Sequence, residues 1–83
     1  MASQEVVEGL NEILRDGFEI ESGLLRPEAR LREDLELDSL DGVDLIVAIE
    51  KRFGCRIKEA EARKMRTLND IYESIQRLLD GTS

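Results

Sequence analysis

The sequence predicts an all-α fold, a small helical bundle of three principal helices plus one short helix, with a long loop after the first helix. Three observations predict it. Apolar residues in three long segments recur at intervals of three and four, the spacing of one helix face. No segment alternates polar and apolar side chains as a half-buried strand would. A chain of 83 residues buries only roughly 60% of the surface it exposes when unfolded, which limits it to one modest core. A single domain over residues 1–83 is therefore expected.

The first helix places Val6, Val7, Leu10, Ile13 and Leu14 on one face, with Ser3 as N-cap and Asp16-Gly17 as the stop. From Phe18 to Asp38 runs a stretch with Gly23 and the only proline, Pro27. A loop of that length is unusual in a compact domain and needs anchoring. Ile20, Leu24, Leu25, Leu31, Leu35 and Leu37 are expected to supply the anchors across the bundle. The middle helix is predicted over 39–53 and a short one over Glu59 to Met65, a run rich in helix formers. In the last helix Leu68, Ile71, Tyr72, Ile75, Leu78 and Leu79 share a face, Thr67 and Asp70 make a capping box, and Gly81 follows the end.

The middle helix is unlike the other two. At ~100° per residue, Leu45, Ile49, Phe53, Ile46, Val43, Val47 and Leu40 sweep roughly 220°, well beyond the ~100° stripe of a surface helix. Leu40 and Val47 form the edge of that arc, with Asp44 and Lys51 beside them. On these residues alone burial of the edge is favoured, the alternative being an edge left available to a partner.

Composition narrows the functions. There is no histidine, so Ser-His-Asp, Cys-His and histidine-bearing zinc chemistry are excluded. Cys55 is the only cysteine, which rules out an internal disulfide and fits a reducing compartment. Its expected role is that of a small hydrophobe. The longest apolar run, Leu45 to Ile49, is far short of the ~20 residues that span a bilayer, and residues 1–10 lack the basic start of a secretory signal. A cytoplasmic protein, or the processed form of an organelle protein, is expected, and as a monomer.

The net charge of −7 is unevenly distributed: residues 1–50 hold 14 acids and 4 bases, residues 51–83 hold 5 acids and 8 bases. Glu33, Asp34, Glu36, Asp38, Asp41 and Asp44 form the densest acidic run. Such a surface repels nucleic acid and anionic membrane and attracts basic partners, although an acidic face that only aids solubility has the same composition.

At the start of the middle helix the chain reads Leu37-Asp38-Ser39-Leu40-Asp41. A hydroxyl there lies beside unpaired backbone N–H groups and the positive end of the helix dipole, which favour an attached anion. Asp38 or Ser39 as a plain N-cap is the simpler account of the same residues. With no base beside it, Ser39 is no nucleophile of its own, but it can be the substrate of another enzyme.

The run Leu31-Arg-Glu-Asp-Leu-Glu-Leu-Asp-Ser-Leu-Asp-Gly-Val-Asp-Leu-Ile-Val-Ala-Ile-Glu-Lys-Arg-Phe-Gly resembles the core of the acyl carrier proteins. The likeness extends over nearly the whole chain, through the long first loop to Thr67-Leu-Asn-Asp-Ile-Tyr. It implies a 4′-phosphopantetheine arm on Ser39, installed from coenzyme A by a phosphopantetheinyl transferase, with Asp38 and Leu40 flanking the attachment. It implies carriage rather than catalysis: acyl groups held as thioesters and handed between enzymes of fatty acid or specialised lipid synthesis that bear basic docking patches. By the same resemblance Leu40 and Val47 contact partners, and Asp38, Asp41, Asp44 and Glu50 form the negative docking face. The family's aliphatic core can part to shelter an acyl cargo, and Val43, Ile46, Met65 and Leu68 are the positions that would report it here.

The chain departs from the common pattern in several places. Glu36 and Leu37 stand where family members usually have glycine and alanine. Gly42 interrupts the helix at a cost of ~1 kcal/mol relative to alanine. Lys58 replaces a frequent proline, and Cys55 a branched aliphatic. Lys51, Arg52, Arg56, Lys58, Arg63, Lys64 and Arg66 make basic a region that is acidic in most fatty-acid carriers. These cations either balance the acidic half internally or restrict the choice of partner, with Lys64 and Arg66 as contact positions. Three rival functions remain: a carrier of polyketide, aminoacyl or peptidyl units, a helical interaction module that is never modified, and, least favoured for want of any histidine or catalytic group, an enzyme in its own right.

Overall fold

A computed structural model describes residues 3–81. Helix α1 spans Gln4–Gly17, α2 Ser39–Phe53, α3 Glu59–Lys64 and α4 Leu68–Leu79, with a single 3-10 turn at Ser22–Leu24 in the loop after α1. Among the described residues there is no strand, only an isolated bridge between Arg30 and Thr67. The predicted all-α bundle with its long first loop is the fold observed.

The three long helices start where their capping chemistry dictates. The Ser3 hydroxyl accepts from Val6 N–H at 3.3 Å. Thr67 and Asp70 form a full capping box on α4. The Asp70 carboxylate takes the N–H groups of both Arg66 and Thr67, and these bonds hold its pKa below the ordinary value. The end of α1 differs from expectation. Gly17 stays helical, and the chain turns at Glu19, which has a left-handed φ of 54°. The Leu14 carbonyl absorbs this turn by accepting from both Phe18 and Ile20 at 3.1 Å.

α1 packs against both α2 and α4. The core is built on Val6, Leu10 and Leu14 of α1, Leu45 and Ile49 of α2, and Leu68, Ile71, Tyr72 and Ile75 of α4. Each such side chain contributes about 1.5–3 kcal/mol by leaving water. Tyr72 is buried with its hydroxyl donating to Asn11 Oδ1, so the one polar atom it brings into the core is satisfied. At the α1–α2 crossing Gly9 faces the Phe53 ring, and a Cβ on Gly9 would lie 2.6 Å from it.

The long loop is held by the start of α4. Leu68 N–H donates to Ala29 O at 3.0 Å, Asn69 N–H to Pro27 O at 2.9 Å, and Leu31 N–H to Arg66 O at 2.9 Å. Ile20, Leu35 and Leu37 are buried as expected, and Leu25 and Leu31 pack on the core at its margin. Leu24 does not: it sits on the 3-10 turn and is 41% exposed. Leu79 at the end of α4 is likewise exposed, one position past the buried face.

Three predictions follow from backbone geometry. Glu36 carries a left-handed φ of 54°, a conformation that costs a non-glycine residue ~1–2 kcal/mol, more than glycine's added entropy. Glu36→Gly should therefore stabilise by about 0.5–1 kcal/mol, a rise in Tm of roughly 2–8 °C by calorimetry. Gly42 lies in α2 with open space around its missing Cβ, whereas Gly9 meets Phe53. Gly42→Ala should gain about 1 kcal/mol in denaturant unfolding, and Gly9→Ala should lose stability because the ring must move.

Candidate functional site

The site is the start of α2, and the loop delivers it. Asp34 closes the turn before it: its carboxylate takes the Arg30 N–H at 2.8 Å and the Arg30 guanidinium at 3.2 and 3.3 Å. The guanidinium bond holds the Asp34 carboxyl below its usual pKa range. Leu35 and Leu37 then point into the core, with Glu36 in its left-handed turn between them. Leu37 N–H donates to Leu31 O at 2.9 Å, which fixes the residue immediately before Asp38.

Asp38 is the N-cap. Its carboxylate accepts from Asp41 N–H at 2.9 Å, and the Asp41 carboxylate accepts from Asp38 N–H at 3.2 Å. This reciprocal box settles which of the two candidates caps the helix and frees the Ser39 hydroxyl. Ser39 is the first helical residue and is exposed, with no hydrogen bond from its side chain among the described residues. The Ser39 and Leu40 N–H groups have no acceptor within the described protein either.

That chemistry fits a phosphopantetheine phosphodiester in one particular way. Two free N–H groups and the positive helix end oppose one negative charge, but Glu36, Asp38 and Asp41 surround the spot and would repel a free anion. An anion is suited to this place when a covalent bond to Ser39 holds it there.

Along α2 the wide apolar arc is divided. Leu45, Ile49 and Phe53 face the core. Leu40 is 77% exposed, Val43 63% and Val47 44%. The burial favoured from the residues alone is thus corrected: α2 turns its Leu45–Ile49–Phe53 side to the core, where it packs on α1, and the Leu40–Val43–Val47 side stays exposed. Val43 joins the exposed strip, which sequence reasoning missed. Its signal was the spacing Leu40, Val43, Val47, itself a continuous ridge. Of the other positions named for cargo, Leu68 is fully buried, and Ile46 and Met65 border the core.

Asp44 is exposed beside the strip, and Asp41 is half-buried. Glu50 is drawn inward, with one carboxylate oxygen accepting from Ile57 N–H at 2.9 Å. Its charge and the burial of Cys55, burial foremost, push the thiol pKa up, so Cys55 packs as a protonated small hydrophobe.

The basic segment is split. Arg52 pairs with Glu12 at 3.4 Å, and Arg63 with Glu59 on its own helix. Lys64 borders a polar recess of about 200 Å³ with Glu61, Asp70 and Glu73, and the charge of Arg66 bears on Asp70. Lys51, Arg56 and Lys58 are exposed and in no ion pair among the described residues. Internal balancing therefore accounts for only part of this charge.

Comparison with known proteins agrees with the geometry. The family described as the phosphopantetheine attachment site matches residues 6–75. Acyl carrier protein 2 of Ralstonia nicotianae is 38% identical over 79 residues, covering 95% of this chain and 98% of that protein. The acyl carrier protein of Thermosynechococcus vestitus is 39% identical over 75 residues, covering 90% and 93%. The crystal structure of an acyl carrier protein from Thermotoga maritima superposes with a TM-score of 0.83 at 24% identity over 94% of this chain and 91% of that one, a likeness of fold. A helix start that leaves one serine hydroxyl and two N–H groups free, in a chain matched along nearly its full length, places this protein in the acyl carrier protein family.

Proposed function

We propose that this protein carries acyl intermediates of fatty acid or specialised lipid synthesis on a 4′-phosphopantetheine arm attached to Ser39. The observation that carries this reading is the exposed, unbonded Ser39 hydroxyl at the head of an exposed apolar strip. The arm supplies a terminal thiol that holds the acyl group as a thioester. The family is one of carriers, not enzymes, and this chain has no histidine to act as a base toward Ser39. A phosphopantetheinyl transferase provides that base.

The chain's own residues present the arm. The Asp38–Asp41 box fixes the helix start, so Ser39 projects from a rigid element rather than a mobile loop. The free Ser39 and Leu40 N–H groups offset the phosphodiester charge. Asp38, Asp41, Asp44 and the outer oxygen of Glu50 offer a negative field to basic patches on partner enzymes, raising encounter rates in a salt-dependent way. Leu40, Val43 and Val47 give the apolar contact that follows encounter. The basic stretch from Lys51 to Arg66, Lys64 and Arg66 included, restricts which enzymes fit. Tethering then presents the cargo at high effective concentration. No helix among the described residues is long and apolar enough to cross a membrane. We place the carrier in the cytoplasm, where a lone thiol such as Cys55 stays reduced.

Intact mass spectrometry after incubation with coenzyme A and a phosphopantetheinyl transferase should show the mass of one arm on the wild type and none on Ser39→Ala. An equal gain on the variant would relocate the attachment, and no gain on the wild type would favour an unmodified module. Because Leu40 is exposed, Leu40→Ala should leave unfolding within about 0.5 kcal/mol of wild type. It should cut kcat/KM for enzymatic acyl loading about tenfold, equivalent to ~1.4 kcal/mol of lost contact.

A further inference from the structure

The apolar strip on α2 has two unlike ends. At the Ser39 end it is bordered by Asp38, Asp41 and Asp44. At the other end Lys51 follows Val47 by one helical turn. Glu50 lies on the same line of the helix as Val43, seven residues on, and its bond to Ile57 N–H folds residues 55–58 back against this end. Arg56 and Lys58, either side of the buried Ile57, are both exposed there.

Folding explains these cations only in part: Lys51 gains from the dipole at the end of α2, but Arg56 and Lys58 have no such role. Lys51, Arg56 and Lys58 form no ion pair among the described residues, although Arg52 and Arg63 nearby do. Lys58 is the N-cap residue of α3 and makes no capping bond. A cation at a helix N-terminus opposes the dipole where Ser or Asp would stabilise. A residue that breaks a local rule without structural gain points to a use outside the fold.

The two ends also act separately. Asp41 and Lys51 are ten residues apart, about 15 Å at ~1.5 Å per residue. That exceeds the Debye length of ~8 Å at physiological salt, so a partner meets two distinct fields rather than one cancelled charge.

We infer that the α2 docking surface is bipolar and selects partner enzymes whose own docking surface pairs a basic patch near the arm's entrance with carboxylates about 15 Å away, facing Lys51, Arg56 and Lys58. The inference rests on the carrier reading of α2. Such an enzyme binds the strip in one direction only, because reversal sets like charges together at both ends. That direction points Ser39 at the enzyme's entrance. An enzyme whose docking surface is basic throughout is disfavoured by the far end.

The test uses the full-length holo protein and an acyl-loading enzyme from the same organism. Variants are Lys51→Glu/Lys58→Glu at the basic end, Asp44→Lys at the acidic end, and Arg15→Glu on α1 as a change of charge away from the strip. Circular dichroism melts confirm that each is folded, intact mass that each carries one arm, and peptide mass mapping that the arm is on Ser39. The expected result is a loss of about tenfold in kcat/KM at low salt for each end variant, within the range of electrostatic steering. It should lie mainly in KM, with a flatter salt dependence, and Arg15→Glu should stay within about twofold of wild type. Full activity of Lys51→Glu/Lys58→Glu, or a gain, would overturn the bipolar surface while leaving the carrier reading intact. Absence of the arm from wild-type Ser39 would instead overturn the carrier reading. A concentration-dependent dimer in analytical ultracentrifugation, abolished by either end variant, would assign the surface to a second copy of this chain and also overturn the inference.

Discussion

The structure depends on the clasp between the long loop and the start of α4. A helix begins with four backbone N–H groups that have no partner inside it. In α4 three of these are taken by the Ala29 carbonyl, the Pro27 carbonyl and the Thr67 hydroxyl, and the return bond runs from Leu31 N–H to Arg66 O. One helix end thus lends its unsatisfied donors to a segment that lacks regular structure, and the segment's carbonyls find partners without a sheet or helix of their own. The loop from Phe18 to Asp38, whose ordering costs ~1–2 kcal/mol per residue in backbone entropy, becomes part of the domain. With residues 27–31 held in this way, Leu35 and Leu37 are buried in the core.

From that clasp the geometry at Ser39 follows in sequence. Leu37 is fixed by burial and by its bond to Leu31, Asp38 must then cap, and Ser39 is left as the first residue whose side chain has no task in the fold. The strip beside it reflects the same economy. Packed on α1, α2 turns Leu45, Ile49 and Phe53 toward the core and leaves Leu40, Val43 and Val47 in water. Each exposed side chain forgoes about 1.5–3 kcal/mol of burial that a larger bundle could recover. The small size that excludes an active-site cleft is thus what leaves an apolar surface available for contact.

Much of this was legible in the residues. The three long helices, the Ser3 and Thr67 caps and the buried faces of α1 and α4 follow from apolar spacing and short-range capping chemistry, which are local. What was not legible depended on partners distant in sequence. The loop's attachment to residues 66–69 uses backbone groups, which every residue possesses and no pattern marks. The arc of α2 was visible, but its division into covered and uncovered halves was set by where α1 and α4 lie, and so Val43 was assigned no exposed role. Glu36 and Glu19 turn left-handed without the glycine that would signal it. At Glu36 the usual glycine of the resembling family was the available clue, and the positive φ is its physical reason. Glu50 looked like one more surface acid, whereas its spacing to Ile57 gave no hint that the loop folds back onto it.

Charge on the two ends of α2 has different origins. Near Ser39 the acids are partly demanded by folding. Asp38 and Asp41 are each other's caps, and an acid at a helix start is stabilised by the dipole, so the residues that create the negative field also hold the helix that displays it. Replacing either acid by a residue that cannot cap would loosen the helix start that presents Ser39. At the far end no such obligation exists for Arg56, in the loop, or for Lys58, which stands at a helix start where a cation is unfavourable. Only Lys51, in the last turn of α2, gains from the dipole. The acidic end is therefore constrained by structure and is poorly placed to distinguish one carrier from another, whereas the basic end is free to vary. Partner choice, which must differ between carriers that share a fold and an arm, is most readily written where the fold makes no demand.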